Sequence, residues 1–218
     1  PDGSQLLFVT AKGATAEERS RIDREGVIYN ENIHGIRSFT QRNWTSPGVQ
    51  ELWLWKMGQK QACRVEADFF PVQSFGRLNW SPGGDRVAIQ YQAGNSSDHI
   101  GILNLDGDTF SFQPVVEQNL ANRGVTWHPD GRQLAYVATG DEHLYYVPRS
   151  RPLVLRLGEK DPLPVANGRD WYFLSSVFFD REGENLLIEY DDRRNSTLYR
   201  TLLAGGAINA IPADGAHY

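Results

Sequence analysis

Trp80-Ser81-Pro82-Gly83-Gly84-Asp85-Arg86-Val87-Ala88-Ile89 and Trp127-His128-Pro129-Asp130-Gly131-Arg132-Gln133-Leu134-Ala135-Tyr136 align without a gap, and their reading decides the fold. In each, an aromatic residue leads into a turn and an apolar run leaves it. Proline fixes its own φ, aspartate bonds back to the turn backbone and glycine accepts φ > 0, so the cassette is a tight turn between two strands. A looser copy stands at Phe179-Asp180-Arg181-Glu182-Gly183-Glu184-Asn185-Leu186-Leu187-Ile188, and the chain opens inside a fourth, Pro1-Asp2-Gly3-Ser4-Gln5-Leu6-Leu7-Phe8. With Gly3, Gly84, Gly131 and Gly183 as markers, the intervals are 81, 47 and 52 residues. Two of these match one repeat unit, and the first is a unit plus an insertion over residues 12–49.

A third strand is expected after each cassette, at Glu51 to Trp55, His99 to Leu103, His143 to Val147 and Thr197 to Thr201. A fourth follows a Gly-containing turn, at Cys63 to Val65 and Phe110 to Phe112, with Leu153 to Leu157 the candidate in the third repeat. Ile211 to Tyr218 reads as a further outer strand and the start of a next inner one. Four strands per repeat make a propeller blade. A sandwich or open barrel does not require the aromatic-turn-strand cassette to recur at one place in every group of four strands, whereas radial blades do. The fold class expected is therefore all-β, a β-propeller of about four recognisable four-stranded blades, with Trp80 and Trp127 in equivalent, largely buried positions. Residues 1–218 are read as one propeller domain, partial because the first cassette begins mid-unit and an open repeat array would otherwise lack caps.

The cassettes resemble the W-S-P-D-G-x-x-I/L-A-F repeats of TolB-type, WD40-like propellers, and are similar to those in the propeller domains of prolyl-oligopeptidase-type serine peptidases. The likeness covers nearly the whole chain outside residues 12–49; it departs at Arg181-Glu182, where Pro-Asp is usual. It implies a ring of six or seven blades of which this chain holds part, and a periplasmic or extracellular location, with a cytoplasmic one left open. It does not fix function, since such repeats serve scaffolds, partner-binding modules and peptidase gates alike.

Composition narrows the partners. The 218 residues carry 22 Lys plus Arg against 27 Asp plus Glu, a net charge of -5, and no basic run, which argues against nucleic acid. No apolar stretch approaches the roughly 20 residues of a spanning helix, so no membrane insertion is expected. The one cysteine, Cys63, excludes an internal disulfide and a Cys-cluster zinc site. There is no G-x-S-x-G elbow, H-E-x-x-H, P-loop or G-x-G-x-x-G, so no self-contained catalytic residue, cofactor or metal is expected. Five histidines, His34, His99, His128, His143 and His217, lack local metal-pair spacing, and His99 and His143 read as equivalent strand-entry residues. Asp106-Gly107-Asp108 reads as a hairpin turn, Asp191-Asp192-Arg193-Arg194 as a solvated charge cluster, and Asn43, Asn95 and Asn195 begin Asn-x-Ser/Thr triplets in expected connections.

In a four-stranded meander the first-to-second and third-to-fourth turns share one end, while the other connections share the opposite end. The long connections, at 12–49, near Phe69-Phe70-Pro71, at Gln118 to Arg123 and at Gly158 to Trp171, are assigned to that opposite face. Thr15 to Glu18 there resembles a helix start. This face is expected to bind, through Tyr29, His34, Trp44, Arg169, Trp171, Arg193 and Arg194, the aromatic and arginine types enriched at hot spots. Two functions follow as expectations: a non-catalytic module for a protein or peptide partner, or the gating domain of a serine peptidase whose hydrolase domain lies outside this chain. A small lectin would need repeated ligand pockets, and the repeats offer only core.

Overall fold

The cassettes of the second, third and fourth blades close as hydrogen-bonded hairpin turns of one geometry. Ser81 N–H donates to the Arg86 carbonyl at 2.8 Å and Gly84 N–H to the Ser81 carbonyl at 3.0 Å; the same pair of bonds recurs at His128/Gln133 and Gly131/His128, and at Asp180/Asn185 and Gly183/Asp180. The computed structural model describes residues 2–11, 17, 50–67, 72–93, 98–117, 121–140, 149–167, 169, 171–172, 174–191 and 196–212. The elements among them are strands. Blade one holds β1 (Gln5–Ala11), β2 (Gln50–Lys56) and β3 (Cys63–Arg64); blade two β4 (Val72–Trp80), β5 (Arg86–Ala93), β6 (Asp98–Asp106) and β7 (Thr109–Val116). Blade three holds β8 (Ala121–Trp127), β9 (Gln133–Thr139), β10 (Ser150–Arg156) and β11 (Leu163–Pro164); blade four β12 (Leu174–Phe179), β13 (Asn185–Asp191), β14 (Ser196–Leu202) and β15 (Asn209–Ala210). Every sheet is an antiparallel meander in chain order.

The repeat register holds. Trp80, Trp127 and Phe179 pair with Val87, Leu134 and Leu186, and each inner strand carries a register shift, at Phe75/Leu78, Arg123/Thr126 and Leu174/Ser176. Alternate residues of each sheet face the next blade, and three apolar clusters fill the joints. Leu52 and Leu54 meet Val87 and Ile89 between blades one and two, Ile100 and Ile102 meet Trp127 and Tyr136 between two and three, and Val137 and Val154 meet Val177 and Ile188 between three and four. Side chains also clip successive blades together at the tight turns: Arg86 Nη2 donates to the Gly131 carbonyl at 2.8 Å, and His128 Nε2 lies 2.9 Å from the Gly183 carbonyl. The faces turned outward at the two ends remain apolar. Blade one presents Leu6 (55% exposed), Phe8, Trp53 and Trp55, and blade four presents Phe178 (41%), Leu187, Leu198 and Leu202 (50%). The four blades are thus consecutive sectors of a larger ring.

Four expectations are corrected. The third strand of blade three is Ser150–Arg156 and the fourth is Leu163–Pro164, not His143 to Val147 and Leu153 to Leu157. The blade-three counterpart of His99 is consequently Arg151 rather than His143, and His99 is buried (8%) with its ring 5.4 Å from Tyr91. Blade four ends its ladder at Asn209–Ala210, ahead of the expected Ile211. Trp80 is only half-buried, whereas Trp127 is 7% exposed. The reason is the neighbour: Trp127 seats its indole N–H on the Asn79 carbonyl of the preceding inner strand at 2.8 Å, but blade one has three strands among the described residues and offers Trp80 no inner strand. Asp106 to Asp108 is the expected hairpin turn, gripped by Lys56 Nζ at 2.8 Å from the Gly107 carbonyl and 2.9 Å from Asp108. Of the insertion 12–49 and its expected helix start at Thr15 to Glu18, only Glu17 is described, and it is helical and exposed; the rest of the insertion and the triplets' asparagines at 43, 95 and 195 lie outside the described residues.

Each of the four tight turns carries an aspartate whose carboxyl is held below its ordinary value of 3.8: Asp2, Asp85, Asp130 and Asp180. The Ser4 hydroxyl on Asp2 and the Ser81 hydroxyl on Asp85 are the leading causes there. At Asp130 and Asp180 burial pushes upward, and hydrogen bonds from Arg132 and His128, and from Asn185, more than offset it. A carboxylate with a depressed folded pKa contributes stability above its unfolded pKa and loses it as pH falls through the folded value. The unfolding midpoint is therefore expected to be flat near neutrality and to drop below about pH 4. Asp130→Asn should shallow that drop; an acid limb unchanged by Asn at Asp85 and Asp130 together would refute the assignment.

Candidate functional site

The long-connection face has one well-built region, at the joint of blades three and four. The connection from β11 to β12 is clipped onto the start of β10, where Ser150 N–H donates to the Trp171 carbonyl at 2.7 Å. Trp171 is 2% exposed, and its indole N–H reaches the Ala166 carbonyl at 3.3 Å. Ala166 takes φ +62°, a left-handed conformation that costs an L-residue on the order of 1–2 kcal/mol. That strain is offset by the packing that places the tryptophan.

Trp171 is one wall of an aromatic corner. Its ring centroid lies 5.7 Å from Tyr190 and 5.4 Å from Tyr199, and the two tyrosines lie 6.4 Å apart at 75°, all in tilted or edge-to-face contact. The Arg169 guanidinium sits over all three, 4.8 Å from the Trp171 centroid, 5.3 Å from Tyr190 and 4.5 Å from Tyr199. Ring quadrupoles attract the cation, and a planar guanidinium stacked on a ring keeps its edge N–H donors turned outward. Beside it opens a pocket of about 180 Å³ lined by Arg149, Arg151, Pro152, Asn167, Arg169 and Trp171 among others. Three arginines line it, and no carboxylate does among the described residues.

Of the expected site residues, the structure brings together Arg169 and Trp171. Tyr29, His34, Trp44, Arg193 and Arg194 lie outside the described residues. Tyr190, Tyr199, Arg149 and Arg151 escaped the sequence reading. A signal for one existed: Tyr190 occupies the register position of Tyr91, each five residues after its strand's start, and both face the preceding joint. Gly158, expected in a long connection, instead turns β10 into β11 on the tight-turn face; the long connection begins after Pro164. The tight-turn face holds an open pocket of about 240 Å³ against Trp80 and Pro82, bounded by Asp2, Ser4 and Gln5, where blade one contributes no inner strand. No group of three or more His, Cys, Asp or Glu among the described residues could hold a metal ion.

Radial sectors of four-stranded meanders, bonded turn to turn around an inner strand, have one known architecture. The fold is a β-propeller. Solved structures agree: TolB of Acinetobacter baumannii matches at 14% identity and TM-score 0.55, over 76% of this propeller and 38% of that chain. An oligogalacturonate lyase in complex with manganese matches at 15% identity and TM-score 0.61, over 95% of this propeller and 50% of that chain. The uncomplexed acylaminoacyl peptidase of Pyrococcus horikoshii matches at 12% identity and TM-score 0.58, over 96% of this propeller and 30% of that chain. The propeller thus spans half or less of each of these chains. No family model and no curated protein matches the sequence.

Proposed function

We propose that this chain is a non-catalytic binding propeller that takes a protein or peptide partner on its long-connection face. The observation that carries the reading is the Arg169 guanidinium fixed over Trp171, Tyr190 and Tyr199, a pre-ordered set of the residue types that dominate binding energy. Pre-ordering matters because side chains already immobilised lose little entropy on association. The likeness to TolB supports a periplasmic or extracellular setting, and no helix among the described residues is long and apolar enough to cross a membrane.

Random linear peptides selected on the immobilised chain test the face. Bound peptide should slow hydrogen exchange at 149–151 and 196–199; protection confined to the turns at 82–85 and 129–132 would reverse the assignment. Replacing residues 13–48, which hold Tyr29, His34 and Trp44, with a short linker should leave the β spectrum and cooperative unfolding in place, since loop length costs stability slowly. The same replacement should weaken peptide binding. Unchanged affinity would remove the insertion from the surface.

A second reading is favoured by the match to acylaminoacyl peptidase across 96% of this chain: a propeller that gates access to a hydrolase domain encoded elsewhere in the same reading frame. A downstream G-x-S-x-G followed by Asp and His in that frame would establish it.

A further inference from the structure

The geometry points to the arginine pocket beside the aromatic corner as a subsite for a peptide carboxylate, an acidic side chain or a C-terminus; this rests on the long-connection face being the binding face. Arg151 and Arg169 are both exposed, line the same pocket, and make no ion pair among the described residues. Lys56, Arg64 and Arg156 have an acidic partner within about 3.3 Å, whereas exposed Arg132, Arg181 and Arg200 make no ion pair among the described residues either, so what sets this pocket apart is that its arginines converge. Two guanidiniums on one pocket whose described lining holds no carboxylate, in a chain of net charge -5, are a local inversion of sign.

The donors suit a carboxylate. The three rings hold the Arg169 guanidinium carbon within 4.5–5.3 Å of their centroids and so fix it beside the pocket, and its N–H fork is the geometry that binds two carboxylate oxygens in parallel. Arg151 is the second residue of the third strand of blade three, next to Ser150, whose backbone is locked to Trp171, so its Cα is fixed with respect to the corner. The lining also includes Asn167 and the apolar walls of Pro152, Val165 and Ala166, room for a carboxylate and the short stem that carries it. An extended polyanion would meet the negative remainder of the surface, and a single carboxylate does not.

The selected peptides provide the test, each compared with its Glu/Asp→Gln/Asn counterpart and with an amidated C-terminus. Peptides bound at this site should lose about tenfold in affinity when their acid is neutralised, and about tenfold with Arg151→Gln or Arg169→Gln, as expected for one charge-assisted pair. Arg169→Lys should recover only part, since an ammonium has no bidentate edge. Arg132→Gln on the tight-turn face should change nothing, and binding should weaken with added salt. Peptides that protect 149–151 and 196–199 from exchange yet ignore both the acid and Arg151→Gln would overturn the carboxylate subsite and leave the face standing. Protection confined to the tight turns would overturn both.

Discussion

Trp127→Ala is expected to lower the unfolding free energy by about 3–5 kcal/mol, the range for a large buried aromatic. The residue is 7% exposed and fills the joint between blades two and three with Ile100, Ile102 and Tyr136. It also ties the two inner strands, by its indole bond to the Asn79 carbonyl, while Asn79 Nδ2 returns a bond to the Val125 carbonyl at 2.8 Å. Arg86 lies 5.1 Å from the ring centroid, so truncation also removes a cation–π contact. Trp127→Phe separates the parts: packing is largely kept and the cost should fall to about 1–2 kcal/mol for the lost bond and reduced volume. Trp80→Ala, at the half-buried equivalent site, should cost about 1–2 kcal/mol. Urea unfolding of the three variants checks the ranking, and equal losses at Trp80 and Trp127 would contradict the role assigned to the neighbouring inner strand.

Gly183→Ala should be the most damaging single methyl in the chain's tight turns. The residue has φ +78°, and a Cβ there would stand 2.2 Å from His128 Nε2 of the preceding blade. The left-handed conformation alone costs about 1 kcal/mol, and pushing the imidazole aside sacrifices its bond to the Gly183 carbonyl and its edge contact with Phe179 at 4.9 Å. Together about 3 kcal/mol is expected. In a His128→Ala background the same substitution should cost only about 1 kcal/mol, because the clash is gone and the φ penalty remains. Gly84→Ala, with φ +72° and nothing within 4 Å of the added carbon, should likewise show only the φ penalty. Identical costs in both His128 backgrounds would place the strain wholly in the backbone.

The turns were legible in the sequence because their chemistry is local: Pro-Asp-Gly cassettes and the residues flanking them specify a hairpin without reference to anything distant. The blade-three strands were misplaced for an equally local reason. Leu144-Tyr145-Tyr146-Val147 is a strand-sized run of apolar and aromatic residues, whereas Ser150–Arg156 contains Pro152, which normally argues against an interior strand. Pro152 is tolerated because its carbonyl accepts from Val165 at 3.0 Å just where the ladder to β11 stops, so no partner needs the N–H that proline lacks. Arg169 and Trp171 were picked out by type and connection length. Tyr190, Tyr199 and Arg151 reach them from three strands of two blades, and that convergence is a property of blade stacking, invisible to spacing along the chain.

Among the described residues every ladder joins strands that are neighbours in sequence, and every large apolar cluster joins blades that are neighbours in sequence. Such a chain behaves as a one-dimensional lattice, in which each unit's order depends on its own free energy and on coupling to one unit on either side. Blades two and three have two couplings among the described blades, and blades one and four have one. Opening should therefore spread inward from the ends while the central pair holds, and nucleation in any blade can propagate without first closing a long loop. The aromatic corner and its arginines sit on the last of these couplings, so a ligand bridging Arg151 of blade three and Tyr199 of blade four would act as a staple across the joint that holds the terminal blade.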